Sequence, residues 1–270
     1  MPASLEQILA ATRRRVSEAK RSANLRDLQR RAEEHNPRGF REVLKSSSQN
    51  GISIIAELKK ASPSRGLIRP DFDASGLAGE LEKAGAAALS ILTDEEFFQG
   101  SLENLQRASD NSKLPCLRKD FIVDEFQLLE ARAHSADAIL LIVAALSQSE
   151  LVTLASRARS YDLDILCEVH DEDELKRALD ANCDVIGVNS RYLRTFHVDL
   201  HTAFRLAERI PKNVLRVAES GIQNGTDIAR LRAAGYQAFL IGETLMKAAS
   251  PAEALRALLV ESQEQLRTTI

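Results

Sequence analysis

The run Ile54-Ile55-Ala56-Glu57-Leu58-Lys59-Lys60-Ala61-Ser62-Pro63-Ser64-Arg65-Gly66 carries an apolar strand straight into an acid and two lysines. A strand buried in a sheet has no structural use for such charges, because each is costly to desolvate unless it is paired. Side chains alternate across a strand, so Glu57 and Lys59 share a face and Ile55 lies one step deeper on it. The pattern predicts a charged floor at the end of a strand. An ordinary ion pair at a sheet edge is the plain alternative.

Seven more short, β-branched-rich runs follow. Together the runs span residues 52–59, 87–92, 116–119, 138–144, 164–169, 185–189, 214–219 and 238–241, and their starts lie 21 to 35 residues apart. That interval is about what a strand, a loop, a crossover helix and a return loop consume. Helical apolar spacing fills the intervals at 74–84, 123–133, 148–160, 172–181, 200–210 and 226–234, with Gly85, Asn182 and Gly235 near the stops. Alternating strand and helix call for a parallel sheet. Eight repeats fit a closed barrel better than an open doubly wound sheet, which would also want a Gly-rich first turn. The expected fold is α/β: a (β/α)8 TIM barrel with an N-terminal helical extension, one barrel domain over 1–270 with 1–45 as the extension. The extension shows helical pattern at 4–21 and 25–34 and is expected to pack across one end of the barrel. Pro37-Arg38-Gly39 and Ser46-Ser47-Ser48-Gln49-Asn50-Gly51 read as turns.

Charge and composition narrow the function classes. A net charge of -3 and a pI near 6.0 leave no global positive field for nucleic acid or an acidic membrane. Arg13, Arg14 and Arg15 suggest a transit peptide, but Glu6 and Glu18 interrupt the basic stretch, so it reads as a solvated amphipathic helix. The longest apolar segment, 138–146, falls far short of the ~20 residues of a membrane helix, and no apolar signal-like stretch opens the chain. A cytoplasmic protein without nucleic-acid or membrane partners is expected. Cys116, Cys167 and Cys183 are odd in number, widely spaced and strand-associated, which points to reduced core residues. His197 and His201 have i, i+4 spacing but no third ligand near in sequence, so no metal site is expected.

Barrel enzymes carry their working groups at the C-terminal ends of strands. Here that rim collects Glu57 and Lys59 after the first strand, Lys119 after the third, Glu168 after the fifth, and Asn189 and Arg191 after the sixth. Glu219 follows the seventh, and Gly242-Glu243 the eighth. Lys119 and Glu168 each close an apolar run whose alternation aims them inward. Glu219 reads equally well as an ion pair closing the barrel top. Mutual proximity is expected to depress the lysine pKa values and so permit proton transfer at neutral pH. Ser220-Gly221 and Gly242 fall in the two loops where barrels grip phosphate through backbone N–H groups. Residues 62–66 read as a loop able to fold over a ligand, with Ser62 as a further donor. Phe98, Phe121, Leu140, Ile142 and Leu193 offer apolar lining, and which of Leu140 and Ile142 faces the site is left open.

Several of these stretches, taken in order, resemble one family. Residues 54–64, Leu92-Thr93-Asp94 with Phe97-Phe98-Gln99-Gly100-Ser101, Leu117-Arg118-Lys119-Asp120-Phe121, Gly187-Val188-Asn189-Ser190-Arg191 and Val217-Ala218-Glu219-Ser220-Gly221-Ile222 look like indole-3-glycerol phosphate synthase. The resemblance spans essentially the whole chain. It implies decarboxylative ring closure and dehydration of 1-(2-carboxyphenylamino)-1-deoxyribulose 5-phosphate to indole-3-glycerol phosphate in tryptophan biosynthesis. By resemblance, Lys119 is the general acid for ring closure and Glu168 a base or electrostatic stabiliser. Lys59 and Glu57 look like the acid and base of the dehydration, and Asn189 and Arg191 match positions that hold hydroxyls and the carboxylate. Ser62, Phe98, Phe121, Leu140, Leu193 and Glu219 are implied in substrate binding, and Ser220, Gly221, Gly242 and Glu243 in phosphate binding. Carbon dioxide departs beside an iminium that withdraws the electrons itself, so no cofactor is implied. The expected partner is a phosphorylated small molecule, and the expected state a monomer or weak oligomer.

Two positions depart from the family pattern. Ala61 stands where some members carry a basic residue, so anion binding is expected to lean on Lys60 or Arg65. Glu243 stands where some relatives have a small hydroxyl residue. An acid there would repel a phosphate dianion, so its side chain is expected to point outward, leaving its backbone N–H to bind. Competing readings are a sister barrel isomerase of the same pathway, using a Cys or Asp acid–base pair, and a noncatalytic barrel that binds a phosphorylated metabolite.

Overall fold

The computed structural model describes residues 3–192 and 197–268. Eight parallel strands close on themselves: β1 Ser53–Leu58, β2 Ala88–Leu92, β3 Cys116–Lys119, β4 Ala138–Ile142, β5 Asp164–Val169, β6 Val185–Asn189, β7 Leu215–Glu219 and β8 Ala238–Ile241. Each strand pairs with its neighbours in sequence, and β8 returns to β1 with Ser53 opposite Ala238. The register sets Glu168 level with Gly187 and Asn189 level with Glu219. Strand ends that are far apart in sequence thus arrive at one rim.

Alternation along the strands sorts two cores. Ile54, Ala56 and Leu58 of β1 face the helical jacket, whereas Ile55 joins Leu117, Leu140, Leu166, Val217 and Leu240 in the barrel lumen. Burial on both faces is why these strands read as continuous apolar runs. The helices begin where a side chain caps them: Asp73 accepts from the N–H groups of Ser75 and Gly76, and Ser147 and Glu150 form a reciprocal capping box. Gly85, Asn182 and Gly235 take φ of 100°, 55° and 101°, the left-handed turn that ends a helix. One strand end differs from the reading, since β4 stops at Ile142 and passes into the 3-10 turn Val143–Ala145. No described helix is long and apolar enough to cross a membrane.

The extension forms α1 Leu5–Ser22, α2 Leu25–Glu34 and α3 Phe40–Asn50, and these clasp the barrel at both ends instead of crossing one. Ile8 of α1 packs on the lumen cluster at the C-terminal rim, while α2 lies along the helix Phe126–Ala133. At the opposite end α3 drives Phe40 and Leu44 into the lumen cluster, and Arg41 N–H reaches Asp164, the first residue of β5, at 2.9 Å. The reading of 46–51 as a turn was overturned by α3. Phe40, Leu44 and Ser48 recur every four residues on its buried face, and the Ser46 and Ser48 hydroxyls donate to the carbonyls of Val43 and Lys45. The serines are therefore satisfied within the helix, which stops at Gly51.

Candidate active site

The strand ends open into one cavity of about 480 Å³. β1 contributes Glu57 and Lys59 to its wall; β3 gives Lys119, with Phe121 just beyond, and β5 gives Glu168. Both Leu140 and Ile142 line it from β4, which resolves the choice between them in favour of neither alone. Asn189 and Arg191 arrive from β6, Glu219 with Ser220 and Gly221 from β7, and Gly242 with Glu243 from β8, while Ser62 and Phe98 enter from loops. Phe98 and Phe121 make a tilted aromatic pair with centroids 6.4 Å apart. Leu193 lies outside the described residues.

Lys119 points into the cavity between two neighbours that are tied to other groups. Arg118 donates to the Gln127 carbonyl at 2.7 Å, and Asp120 accepts from the Thr93 hydroxyl at 2.7 Å and from Arg15 at 3.1 Å. The Lys119 ammonium then lies 3.2 Å from Glu168 Oε2 and 3.3 Å from Glu219 Oε2. Beside it, Lys59 Nζ meets Glu57 Oε1 at 2.6 Å. Two glycines make the room these acids occupy. A Cβ at Gly187 would sit 2.0 Å from Glu219 Oε1, and one at Gly242 would sit 2.3 Å from Glu57 Oε1.

Burial pushes the Glu219 carboxyl up to about 7, because Lys119 only partly offsets the loss of water and Glu168 adds a like charge. Burial acts in the same direction on Glu168 and Glu57, but there the cations win. Lys119 and His170 hold Glu168 below the usual carboxylate range, and Lys59 and Lys119 do the same for Glu57. The expectation of a depressed Lys119 is overturned. Burial does pull its pKa down, yet Glu219, Glu168 and Glu57 outweigh that and raise it above the ordinary lysine value. Lys119 is a standing cation, whereas Glu219 is an acid that titrates near neutrality.

Glu243 also departs from expectation, since its carboxylate does not point outward. Oε1 lies 2.9 Å from Arg65 Nε and 2.6 Å from Lys247 Nζ, and Oε2 lies 3.1 Å from Arg191. Three cations recruit the acid to the cavity mouth. Arg65 stands on a short hairpin, Ala61–Ser62 paired with Gly66–Leu67, and lines the cavity, which Lys60 does not.

A family model described as indole-3-glycerol phosphate synthase matches residues 5–258. The chain belongs to the indole-3-glycerol phosphate synthase family. A synthase of that name from Koribacter versatilis (strain Ellin345) is 59% identical over 259 residues, covering 96% of this chain and 100% of the relative. Another, from Desulfotalea psychrophila (strain LSv54 / DSM 12343), is 48% identical over 222 residues, covering 82% of this chain and 85% of the relative. Among solved structures, a mutant tryptophan synthase alpha-subunit from Pyrococcus furiosus matches with a TM-score of 0.59 at 16% identity. It covers 78% of this chain and 98% of that one, a likeness of fold alone. The activity of the indole-3-glycerol phosphate synthase family, a carboxy-lyase step of tryptophan biosynthesis on a phosphorylated small molecule, is the activity of this chain.

Sequence reasoning missed part of the cavity of this synthase-family chain. Leu5 and Ile8 of α1 line it, and so does Lys247. Arg15 brings α1 there by reaching Asp94 at 2.8 Å and Asp120 at 3.1 Å, across 79 and 105 residues of sequence. The Ser4–Gln7 capping box marks where α1 begins, but no local signal tells where it docks.

Proposed function

We propose that this chain converts 1-(2-carboxyphenylamino)-1-deoxyribulose 5-phosphate to indole-3-glycerol phosphate, carbon dioxide and water at the C-terminal mouth, with Lys119 as the general acid. The observation that carries the assignment is the Lys119 ammonium held between Glu168 at 3.2 Å and Glu219 at 3.3 Å. Lys119 gives a proton to the ketose oxygen as the aromatic carbon attacks the carbonyl carbon. Positive charge builds on the ring nitrogen, and Glu168, kept ionised beside Lys119, stabilises it. The bond to the carboxylate then breaks, its electron pair flows into the iminium, and carbon dioxide leaves.

The remaining hydroxyl departs as water. Lys59 supplies the proton and Glu57, 2.6 Å away, takes one up. Glu219, whose carboxyl sits at about 7, serves as the carrier that restores the proton on Lys119. Backbone N–H groups of Ser220, Gly221, Gly242 and Glu243 take the phosphate, with Arg65 in support. Asn189 and Arg191 hold hydroxyl and carboxylate groups, Ser62 donates a further hydrogen bond, and Phe98, Phe121 and Leu140 flank the ring. A noncatalytic binding barrel would have no use for a lysine desolvated among three acids, an arrangement that costs stability. The reading extends to a cytoplasmic monomer or weak oligomer. Three free, buried cysteines support it, as do exposed large hydrophobics that fall on separate segments: Leu25, Leu67, Val152, Tyr192 and Val260.

Addition of the ribulose phosphate to purified protein should produce indole fluorescence at steady state. Substrate binding with no rise in fluorescence would overturn the reading.

A further inference from the structure

Glu168 has a neighbour that the ring-closing chemistry leaves unused. His170 follows it by two residues, and its side chain is only 9% exposed. Glu174, in the first turn of the helix Glu172–Asp180, grips it twice: Oε2 accepts the His170 backbone N–H at 2.8 Å and lies 3.0 Å from Nδ1. The ring is thereby fixed with Nε2 toward the site, 3.5 Å from Glu168 Oε1, and Nε2 has no hydrogen-bond partner among the described residues.

With the Nδ1 proton given to Glu174, the state of Nε2 is constrained. A bare Nε2 would face an ionised carboxylate lone pair to lone pair in a water-poor site, which is unfavourable. A proton on Nε2 makes the ring a cation with both nitrogens donating. The surrounding charges favour that second state, since Glu168 from β5, Glu174 from its helix and Glu219 from β7 all act on the ring. Lys119 from β3, 3.2 Å from Glu168, is the opposing cation. Burial alone would lower the His170 pKa, but Glu174, Glu168 and Glu219 raise it above the ordinary histidine value.

We propose that His170 is a positioning residue for Glu168: clamped by Glu174, its imidazolium keeps Glu168 an ionised carboxylate turned toward Lys119. The proposal rests on the reading of Glu168 as the group that stabilises the iminium. No bond to substrate is made or broken by His170; its part is to hold a proton beside Glu168 while charge develops on the ring nitrogen. Without that cation the Glu168 carboxyl would titrate at higher pH, so the enzyme would lose its ionised Glu168 sooner on acidification.

The test combines kinetics with NMR titration of the His170 ring. His170→Ala is expected to lower kcat about tenfold with KM within about threefold, and to move the acid limb of the kcat profile up by about one pH unit. His170→Gln, whose amide N–H can donate to Glu168 without titrating, should recover part of the lost kcat. In the unsubstituted protein the imidazole should titrate above the ordinary histidine value, and both Glu168→Gln and Glu174→Gln should lower its pKa. Those two variants keep the NMR test available if His170→Ala fails to fold. An acid limb unmoved in His170→Ala, or a His170 pKa unmoved by Glu168→Gln, overturns the proposal. The assignment of Glu168 itself fails on a different result, namely near-normal kcat in Glu168→Gln. A role in packing alone would lower the melting temperature and leave both titrations in place.

Discussion

Asp137 at the N-terminal end of the barrel and Glu219 at the C-terminal end are equally buried acids, 0% and 1% exposed, with opposite surroundings. Asp137 accepts from the N–H groups of Arg38 and Cys116 and from Arg38 Nε, and His35 Nε2 lies close, all within 2.6 to 3.1 Å. Burial would raise its pKa, but His35 and Arg38 hold it below the usual carboxylate range. Glu219 has Lys119 at 3.3 Å, shared with Glu168, and its Oε1 has no hydrogen-bond partner among the described residues. A buried acid with saturated oxygens is locked as an anion and ties elements together. One with too few donors sits at the edge of protonation, weakens the fold and is free for chemistry.

The largest effect should come from breaking the saturated end. Asp137→Ala strands Arg38 and the Cys116 N–H, and is expected to cost about 3–5 kcal/mol of stability. Denaturant unfolding at fixed pH measures it, and kcat of the folded protein should stay within about twofold. An unchanged midpoint would erase the contrast between the two ends.

At the other end the loss should be catalytic. Lys119→Ala is expected to lower kcat by roughly 10²-fold or more while inorganic phosphate still binds within a few fold, as for loss of a general acid. Near-normal turnover in steady-state fluorescence assays would remove Lys119 from that role.

Glu219→Gln separates the two acids through pH. The folded-state pKa of about 7 lies above the ordinary 4.5, so the stability linked to this group is complete below 4.5 and is lost as pH rises through about 7. Glutamine cannot titrate, so the variant should gain in melting temperature relative to the unsubstituted protein between pH 5 and pH 8. Its kcat should fall about tenfold, with a flatter profile near neutrality. Parallel melting curves across that range would mean that Glu219 titrates elsewhere.

The smallest effect is expected at the mouth. Glu243 occupies Arg65, Arg191 and Lys247, cations that an incoming phosphate dianion would also seek. Glu243→Gln should tighten inorganic phosphate about threefold by calorimetric titration, with kcat within about twofold. Weaker phosphate binding would show instead that the acid arranges the cations for the ligand.

Much of the architecture was legible in one dimension because strand and helix periods are local. The runs that became β1 to β8 stand out since both faces of a parallel strand are buried, and Glu57, Lys119, Glu168 and Glu219 are conspicuous as charges closing those runs. The helix Phe40–Asn50 was hidden by three serines whose hydroxyls suggest a turn, and only the burial of Phe40 and Leu44 in the barrel end explains why it forms.

The order of strands, the residues that close them and the kind of chemistry offered at one rim were determined by the sequence alone, because alternation and run length need no distant partner. Tertiary structure alone decided how those charges behave. Lys119 is raised and not depressed because closure of the barrel sets three acids around it, Glu243 turns inward because Arg65 and Arg191 come from other strands' loops, and Leu5 and Ile8 reach the cavity because Arg15 finds Asp94 and Asp120. Electrostatic and docking energies depend on distances across the barrel, and a linear chain does not contain those distances until it folds.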